Sequence, residues 1–372
     1  MARLRMGLIG GGPGSFIGAV HRIAAELDRE IELVAGAFSS DPARSQQAGV
    51  DYAIDPARAY RDVATMVADE AKRDDRIDFV TIATPNHHHF EAAGAALKAG
   101  IAVMSDKPAT ATLAEAQQLA RIVGDSAVPY ALTYTYSGYP MVREARARIA
   151  VGEMGRVRKV VVEYPQGWLS DAGADNKQAA WRLDPGKAGE GGCIADIGVH
   201  AFHLAEFVTG LRVDRLLADL GSVVEGRALD DDCQLLLRFD NGARGALLAS
   251  QIAFGERNGL RLRVYGERGG MDWRQESPNR LTWHRADGST LLIERGDAGL
   301  SGDAMAASRI PSGHPEGYLE AFANLYRDFA RRLRGEPAPL LPGVAEGVRG
   351  MALIHHAVAA SRDERGWFDF SV

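Results

Sequence analysis

The 372-residue chain predicts an α/β protein. A doubly wound parallel sheet is expected at the N-terminus, followed by an α+β part with a large open, mainly antiparallel sheet. Three observations carry this. An apolar run, Met6-Gly7-Leu8-Ile9, ends in a glycine-rich turn from Gly10 to Gly18 and leads into a helix-like stretch, Ala19 to Leu27. The first third then alternates strand-like and helix-like segments, as a parallel sheet with crossover helices requires. After about residue 155 the texture changes to short strands separated by turn signals such as Asp240-Asn241-Gly242.

In the first part, strands are expected at 31–38, 77–83, 101–104 and 127–134, which are β-branched or continuously apolar. Helices are expected around 18–28, 56–73, 87–99 and 112–124, with a connecting helix at 138–151. In the second part, strands are expected at 157–163, 215–224, 233–239, 245–252, 260–265 and 280–284, with one helix over about 197–207. Residues 297–311 are small and polar and are expected to form a mobile loop, before helices at about 314–334 and 343–361. The domain boundary is placed between 1–137, a nucleotide-binding domain, and 138–372, a substrate-binding and oligomerisation domain, with helix 343–361 packing back on the first.

Composition bounds the function. Hydrophobic residues make up 46% and charged residues 25% of the chain, as in soluble globular proteins. A net charge of −6 argues against a nucleic-acid partner, which needs basic patches. No apolar stretch approaches a membrane span, and the apolar segment after Met6 is too short for a signal peptide. Cys193 and Cys233 show no metal-ligand spacing; two free thiols in a chain this long suggest a reducing compartment, the cytoplasm.

Strand, glycine turn and helix in that order suit a dinucleotide phosphate. Turn residues without side chains let backbone N–H groups approach, and the helix N-terminus adds partial positive charge. The spacing is irregular, because Pro13-Gly14-Ser15 intervenes between Gly12 and Gly18. The alternative is a glycine-rich loop without a ligand. The run Ile31 to Phe38 arrives where the second strand of a Rossmann unit belongs.

Three constellations could carry chemistry. The first, Ser105-Asp106-Lys107-Pro108, follows a strand, where ligands of open parallel sheets sit. A lysine there, beside a cationic oxidised nicotinamide, would have a lowered pKa and could help deprotonate a hydroxyl. A plain surface lysine is the alternative. The second runs from Asp196 to His203. On a helix Asp196 and His200 are i and i+4, and a carboxylate there would make the imidazole a better base. Asp196 could instead be an N-cap, and His203 a core histidine. The third is Thr84-Pro85-Asn86-His87-His88-His89 at a strand end. Adjacent histidines do not converge on one ion, so no metal is expected; a turn under the nicotinamide ribose fits better.

Together these segments resemble the Gfo/Idh/MocA family of sugar and inositol dehydrogenases, over nearly the whole chain. The matching motifs are Gly18-Ala19-Val20-His21, Thr84 to His89, Asp106-Lys107-Pro108 and Asp196 to His200. The resemblance implies that Lys107, Asp196 and His200 form the catalytic set. Lys107 and His200 would bind the reacting hydroxyl, His200 would take its proton, and Asp196 would orient the cationic partners. It implies a cis Lys107–Pro108 peptide. It assigns Gly10, Gly12, Pro13, Phe16, Ile17, Ser39, Ser40, Arg44, Thr84, Pro85, Asn86, His89, Asp106 and Lys107 to NAD or NADP. It assigns Tyr136, Gln166, Trp168, Trp181, Arg182, His200 and His203 to substrate, aromatics stacking on sugar C–H faces while Gln and Arg bind hydroxyls or an anion. Core packing is the alternative for both tryptophans.

Three departures from the family pattern stand out: the lengthened glycine loop, Asp106 in place of Glu, and His203 where many relatives have Asp. At the end of the second strand, Ser39 takes the place of an acidic residue that would bind the ribose 2′-OH of NAD. Ser39, Ser40 and Arg44 suit a 2′-phosphate, although Asp41 opposes it, so the balance tips slightly to NADP. The leading functional expectation is an NAD(P)-dependent dehydrogenase of a sugar, glycoside or inositol. A redox-neutral glycosidase of the same family, which oxidises, eliminates, adds water and reduces again, is the alternative. A non-catalytic NAD(P) sensor is disfavoured by the retained Lys107, Asp196 and His200. A homodimer or homotetramer is expected.

Overall fold

A computed structural model describes residues 2–170 and 181–372. The chain forms two compact units, Met1–Thr135 with Phe322–Val348, and Tyr136–Ala321 with Arg349–Val372. Residues 322–348, which the sequence placed with the second part, thus belong to the first unit.

The first unit holds a five-stranded parallel sheet of β1 (Leu4–Gly10), β2 (Ile31–Ala37), β3 (Phe79–Ala83), β4 (Ala102–Ser105) and β5 (Tyr130–Leu132), in the order β2-β1-β3-β4-β5. Every residue of β3 is buried, the signature of a strand covered on both faces. Its helices are α1 (Phe16–Glu26), α2 (Pro42–Asp51), α3 (Val63–Glu70), α4 (His89–Lys98) and α5 (Leu113–Ser126). Their starts are set by local chemistry. Ser15 caps α1, Asp41 caps α2 with Pro42 in its first turn, and Thr112 and Glu115 form a reciprocal capping box on α5. The strand order reverses between β1 and β3, which opens a crevice at their carboxyl ends.

Two expectations need correction here. The sequence missed α2, because its polar run PARSQQAGVD carries little apolar periodicity. The single helix expected at 56–73 is broken: a 3-10 turn at Pro56–Arg58 is followed by Tyr60, whose N–H donates to the Gly36 carbonyl, and Asp62 caps a fresh start at α3. Pairing to the edge of β2 outcompetes helix continuation.

The second unit holds a nine-stranded sheet. Its strands are β6 (Val157–Pro165), β7 (Val213–Gly221), β8 (Asp232–Phe239), β9 (Arg244–Ser250), β10 (Arg261–Gly266), β11 (Gly269–Arg274), β12 (Arg280–Arg285), β13 (Thr290–Glu294) and β14 (Phe368–Asp369). The order is β13-β12-β11-β10-β6-β9-β8-β7-β14, antiparallel throughout except for the β6–β9 pair. Helix α6 (Pro140–Ala150) packs on β11 and β12, and α7 (Val199–Thr209) on β6, β9 and β10. α7 is buried on nearly all sides, as its apolar sequence demands. The sequence missed β11, β13 and β14. The segment 297–311, expected as a loop, contains a short helix, Gly302–Ala306, capped by Ser301. Helices α8 (Tyr318–Leu333) and α9 (Val344–Arg362) each run from one unit into the other. Among the described residues, no helix is long and apolar enough to cross a membrane, and no group of three or more His, Cys, Asp or Glu residues could hold a metal ion.

Candidate active site

The glycine turn closes β1 onto α1. Gly11 adopts a positive φ of 66°, and a Cβ on Gly18 would lie 2.3 Å from the Gly11 Cα. Gly18 therefore supplies the close helix–turn packing that the third glycine of a dinucleotide fingerprint supplies, despite its later position. Pro13 and Phe16 project outward and are exposed, Gly12 and Ile17 are half-buried, and Tyr52 ties the turn from below by donating to the Gly11 carbonyl at 2.7 Å. Beyond β2, Ser39 Oγ accepts from the Asp41 N–H at 3.1 Å, and Asp41 spends its carboxylate on the Ala43 and Arg44 amides. Ser40 and Arg44 are exposed.

Gly10 pairs in register with Ala83, which sets the Thr84–Pro85–Asn86 turn beside the glycine turn. Thr84 Oγ1 is buried and has no partner within the protein. An orphaned hydroxyl at the crevice between β1 and β3, beside a side-chain-free turn and a capped helix start, is what a bound dinucleotide would satisfy. The residues present therefore fit the cofactor. His89 is buried between two turns. Its Nδ1 lies 2.8 Å from the Pro108 carbonyl and its Nε2 2.9 Å from that of Thr84, so it ties the Thr84 turn to the turn after β4.

That second turn contains Asp106 and Lys107, and the Lys107–Pro108 peptide is cis. Asp106 Oδ1 accepts from the Lys107 N–H at 2.9 Å and from Thr133 Oγ1 at 2.8 Å. His21 is fully buried behind it: its Nδ1 is 2.7 Å from the Tyr326 hydroxyl, which lies 3.0 Å from Thr81 Oγ1, and its Nε2 stands 4.0 Å from Asp106. Burial, the largest influence, holds the His21 imidazole below its ordinary pKa. His21, Thr133 and Tyr326 thus shape the lysine turn, and the sequence assigned none of them a role.

In the second unit, the residues before α7 form a π-turn, Ile194–Gly198, and the α-helix starts only at Val199. Asp196 therefore sits in a π-turn and His200 in the α-helix that follows it, where the sequence expected both on one α-helix. Asp196 is not an N-cap either. Its Oδ2 accepts from Arg182 Nε at 3.1 Å and from Gln251 Nε2 at 2.9 Å. The Arg182 guanidinium also lies 4.3 Å from the Trp181 ring centroid and 5.8 Å from that of Trp168. Trp168 in turn donates to Gln166 Oε1 at 2.9 Å, and Gln166 donates to Asn258 Oδ1 at 2.8 Å. Tyr164 donates to the same Asn258 oxygen at 2.7 Å and shares a short hydrogen bond with Tyr136. The Tyr136 ring meets His200 edge-on, 4.9 Å between centroids. Burial raises the phenol pKa of both Tyr136 and Tyr164, and the Asp196 charge adds to it.

One unit thus gathers Tyr136, Gln166, Trp168, Trp181, Arg182, Asp196 and His200. His203, on the same helix as His200, stacks on Phe207 with centroids 5.7 Å apart. Gln251, Asn258 and Tyr164 are hubs of this cluster that the sequence did not single out. No local spacing marks them, because each reaches partners far away in the chain.

Comparisons with known proteins bear on both units. The oxidoreductase family with an NAD-binding Rossmann fold matches residues 4–134, and the GFO/IDH/MocA C-terminal domain matches residues 142–272. The uncharacterized oxidoreductase YfiI of Bacillus subtilis (strain 168) is 33% identical over 99% of this chain and 97% of its own. Levoglucosan dehydrogenase of Pseudarthrobacter phenanthrenivorans is 28% identical over 99% of this chain and 98% of its own. An inositol dehydrogenase homolog from Azotobacter vinelandii, 36% identical over 99% of this chain and 98% of its own, superposes with a TM-score of 0.95 in its NAD+ complex. Its complex with NADH and myo-inositol superposes with a TM-score of 0.93.

Proposed function

The chain belongs to the Gfo/Idh/MocA family of oxidoreductases with an NAD-binding Rossmann domain, and from that premise we propose that it is an NAD(P)-dependent dehydrogenase oxidising a ring hydroxyl of a sugar, glycoside or inositol. The observation that carries this is the convergence, within one unit, of His200, Tyr136, Arg182, Asp196 and two tryptophans. Aromatic faces bound to a guanidinium and a carboxylate suit a polyol, which offers C–H faces and hydroxyls together. The myo-inositol bound to the Azotobacter homolog supports the same substrate class.

Bound nicotinamide supplies the hydride acceptor. The chain's own residues handle the proton and the pose. His200 accepts the proton of the reacting hydroxyl, and Lys107 hydrogen-bonds the same oxygen and stabilises its developing negative charge. Asp196, held through one oxygen by Arg182 and Gln251, keeps the cationic groups oriented. Trp168 and Trp181 flank Arg182 and close on the apolar face of the ring. The two buried free thiols, Cys193 and Cys233, support a reducing, cytoplasmic setting.

The test is turnover with a panel of polyols and glycosides, including myo-inositol, followed by reduced-nicotinamide absorbance and aglycone release together. Reduced cofactor should accumulate in proportion to substrate consumed. Aglycone release without accumulation would overturn the dehydrogenase in favour of the redox-neutral glycosidase. Lys107→Ala should lower turnover by roughly 10²–10⁴ while leaving cofactor affinity unchanged. A variant keeping more than about a tenth of the activity removes Lys107 from the mechanism.

A further inference from the structure

We propose that Asp230 and Gln251 are positioning residues that hold Asp196, and with it the turn leading to His200, in the geometry the reaction needs. This rests on the assignment of Asp196 and His200 to the dehydrogenase site. The carrying observation is a clamp on three consecutive backbone amides. Asp230 Oδ1 accepts from the Gly192 N–H at 2.6 Å and Oδ2 from the Ile194 N–H at 2.7 Å. The Asp230 carbonyl accepts from the Cys193 N–H between them, also at 2.7 Å. A single residue thereby satisfies every amide donor of the segment that enters the π-turn.

The approach is too close for any residue but glycine at 192, where a Cβ would lie 2.3 Å from the Asp230 carbonyl oxygen. The next step up the chain is equally fixed: the Asp196 N–H donates back to the Gly192 carbonyl at 2.9 Å. A π-turn has poorer intrinsic stability than an α-turn and persists where its surroundings impose it. Here the surroundings are Asp230.

The neighbouring residue completes the device from the other side. The Asp231 carbonyl accepts from the Gln251 N–H at 2.9 Å, and Asp231 itself is anchored by the Val223 and Val224 amides at 2.8 and 2.9 Å. Gln251 is buried, and its Nε2 donates to Asp196 Oδ2. So Asp230 fixes the backbone that carries Asp196, while Gln251, seated on Asp231, fixes the carboxylate. Asp230 is half-buried, and a carboxylate partly removed from water is costly unless its hydrogen bonds are made. Burial pushes its carboxyl up to about 6 even though the Ile194 and Gly192 amides pull it down.

The experiment compares Asp230→Asn and Gln251→Met, each alone and combined with Asp196→Asn, in the full-length enzyme. The probes are NAD+ or NADP+ and the polyol of the panel that turns over fastest. An asparagine at 230 must turn an NH2 toward one of the clamped amides, and a methionine at 251 keeps the volume but loses the donor. Each should lower kcat roughly 10–100-fold, the range seen when the outer partner of a functional ligand is removed. Cofactor affinity should not change. Amide exchange at 192–196 should accelerate in Asp230→Asn. In the Asp196→Asn background each should cost less than about threefold more, because residues acting as one unit are not additive. Equal losses in both backgrounds, or no loss in the single variants, would overturn the proposal. If Asp230→Asn does not fold, Gln251→Met decides by the same comparison. His200→Ala separates the two readings: retained activity there overturns the site assignment itself.

Discussion

His203 lies at the centre of α7 with its ring against Phe207 and the Arg146 and Arg212 charges nearby. Burial first, and then those two cations, hold its imidazole down at about 3, against an ordinary value of 6.5. The native state therefore keeps His203 neutral, while the unfolded chain protonates it below about 6.5. Below that pH the unfolded state binds more protons, so stability falls as pH drops from about 6.5 toward 3. One such group contributes a slope of up to about 1.4 kcal/mol per pH unit across that window. His21, also lowered by burial, adds in the same direction. Urea unfolding between neutral and acid pH should give His203→Gln a slope shallower than wild type by about one proton. Identical slopes would mean that His203 is solvated. The motif residues Lys107, Asp196 and His200 were legible because short fixed spacings mark them. Gln251 and Asp230 were not, because they reach Asp196 and its turn from loop positions 55 and 36 residues away in the chain.

At the scale of elements, the sequence read best where periodicity was strong. All five parallel strands and the paired helices α4 and α5 fall within a few residues of expectation. It failed where an element is short or owes its existence to a neighbour. β14 has two residues and exists through its pairing with β7, and β11 opens on Gly269-Gly270, which reads as a turn. α2 was overlooked although its start carries a legible cap, Asp41 followed by Pro42. We expect that junction between β2 and α2 to decide between NAD and NADP. The Asp41 carboxylate is spent on the first amides of α2, Ser39 keeps a hydroxyl there, and the Arg44 guanidinium is exposed. A 2′-phosphate thus has partners, and no acidic side chain stands at position 39 to repel it. Ser39→Asp should shift the ratio of kcat/KM for NAD over NADP upward by about tenfold or more, since 1.4 kcal/mol of added repulsion is tenfold. An unchanged ratio, or a wild type already preferring NAD by more than about a hundredfold, would show that this junction does not read the 2′ position.

For the molecule as a whole, the nine-stranded sheet poses a burial problem that one chain leaves open. α6 and α7 cover one face. On the other, a single register row runs Leu217, Leu236, Ala246, Val161, Arg263, Asp272, Thr282 and Leu292 across eight strands. Side chains at paired positions share a face. The row is therefore apolar over four strands and charged on the next two, where Arg263 pairs with Glu163 and Asp272 with Arg261. Leu236, Leu248, Tyr265 and Leu292 on this side are exposed. A contiguous apolar patch on a sheet face rimmed by ion pairs is typical of surfaces buried by association, and a second copy of the same face supplies both the apolar complement and the opposite charges. We expect a dimer or tetramer built on this sheet. Light scattering at micromolar concentration should report more than one chain per particle. Leu236→Glu combined with Leu248→Glu should shift the particle toward monomer, because carboxylates would be forced into the apolar part of the contact. Neither substitution touches the cluster around Asp196, so the variant should still bind cofactor. A wild-type monomer, or an oligomer unaffected by the double substitution, would place association elsewhere and leave this sheet face to solvent.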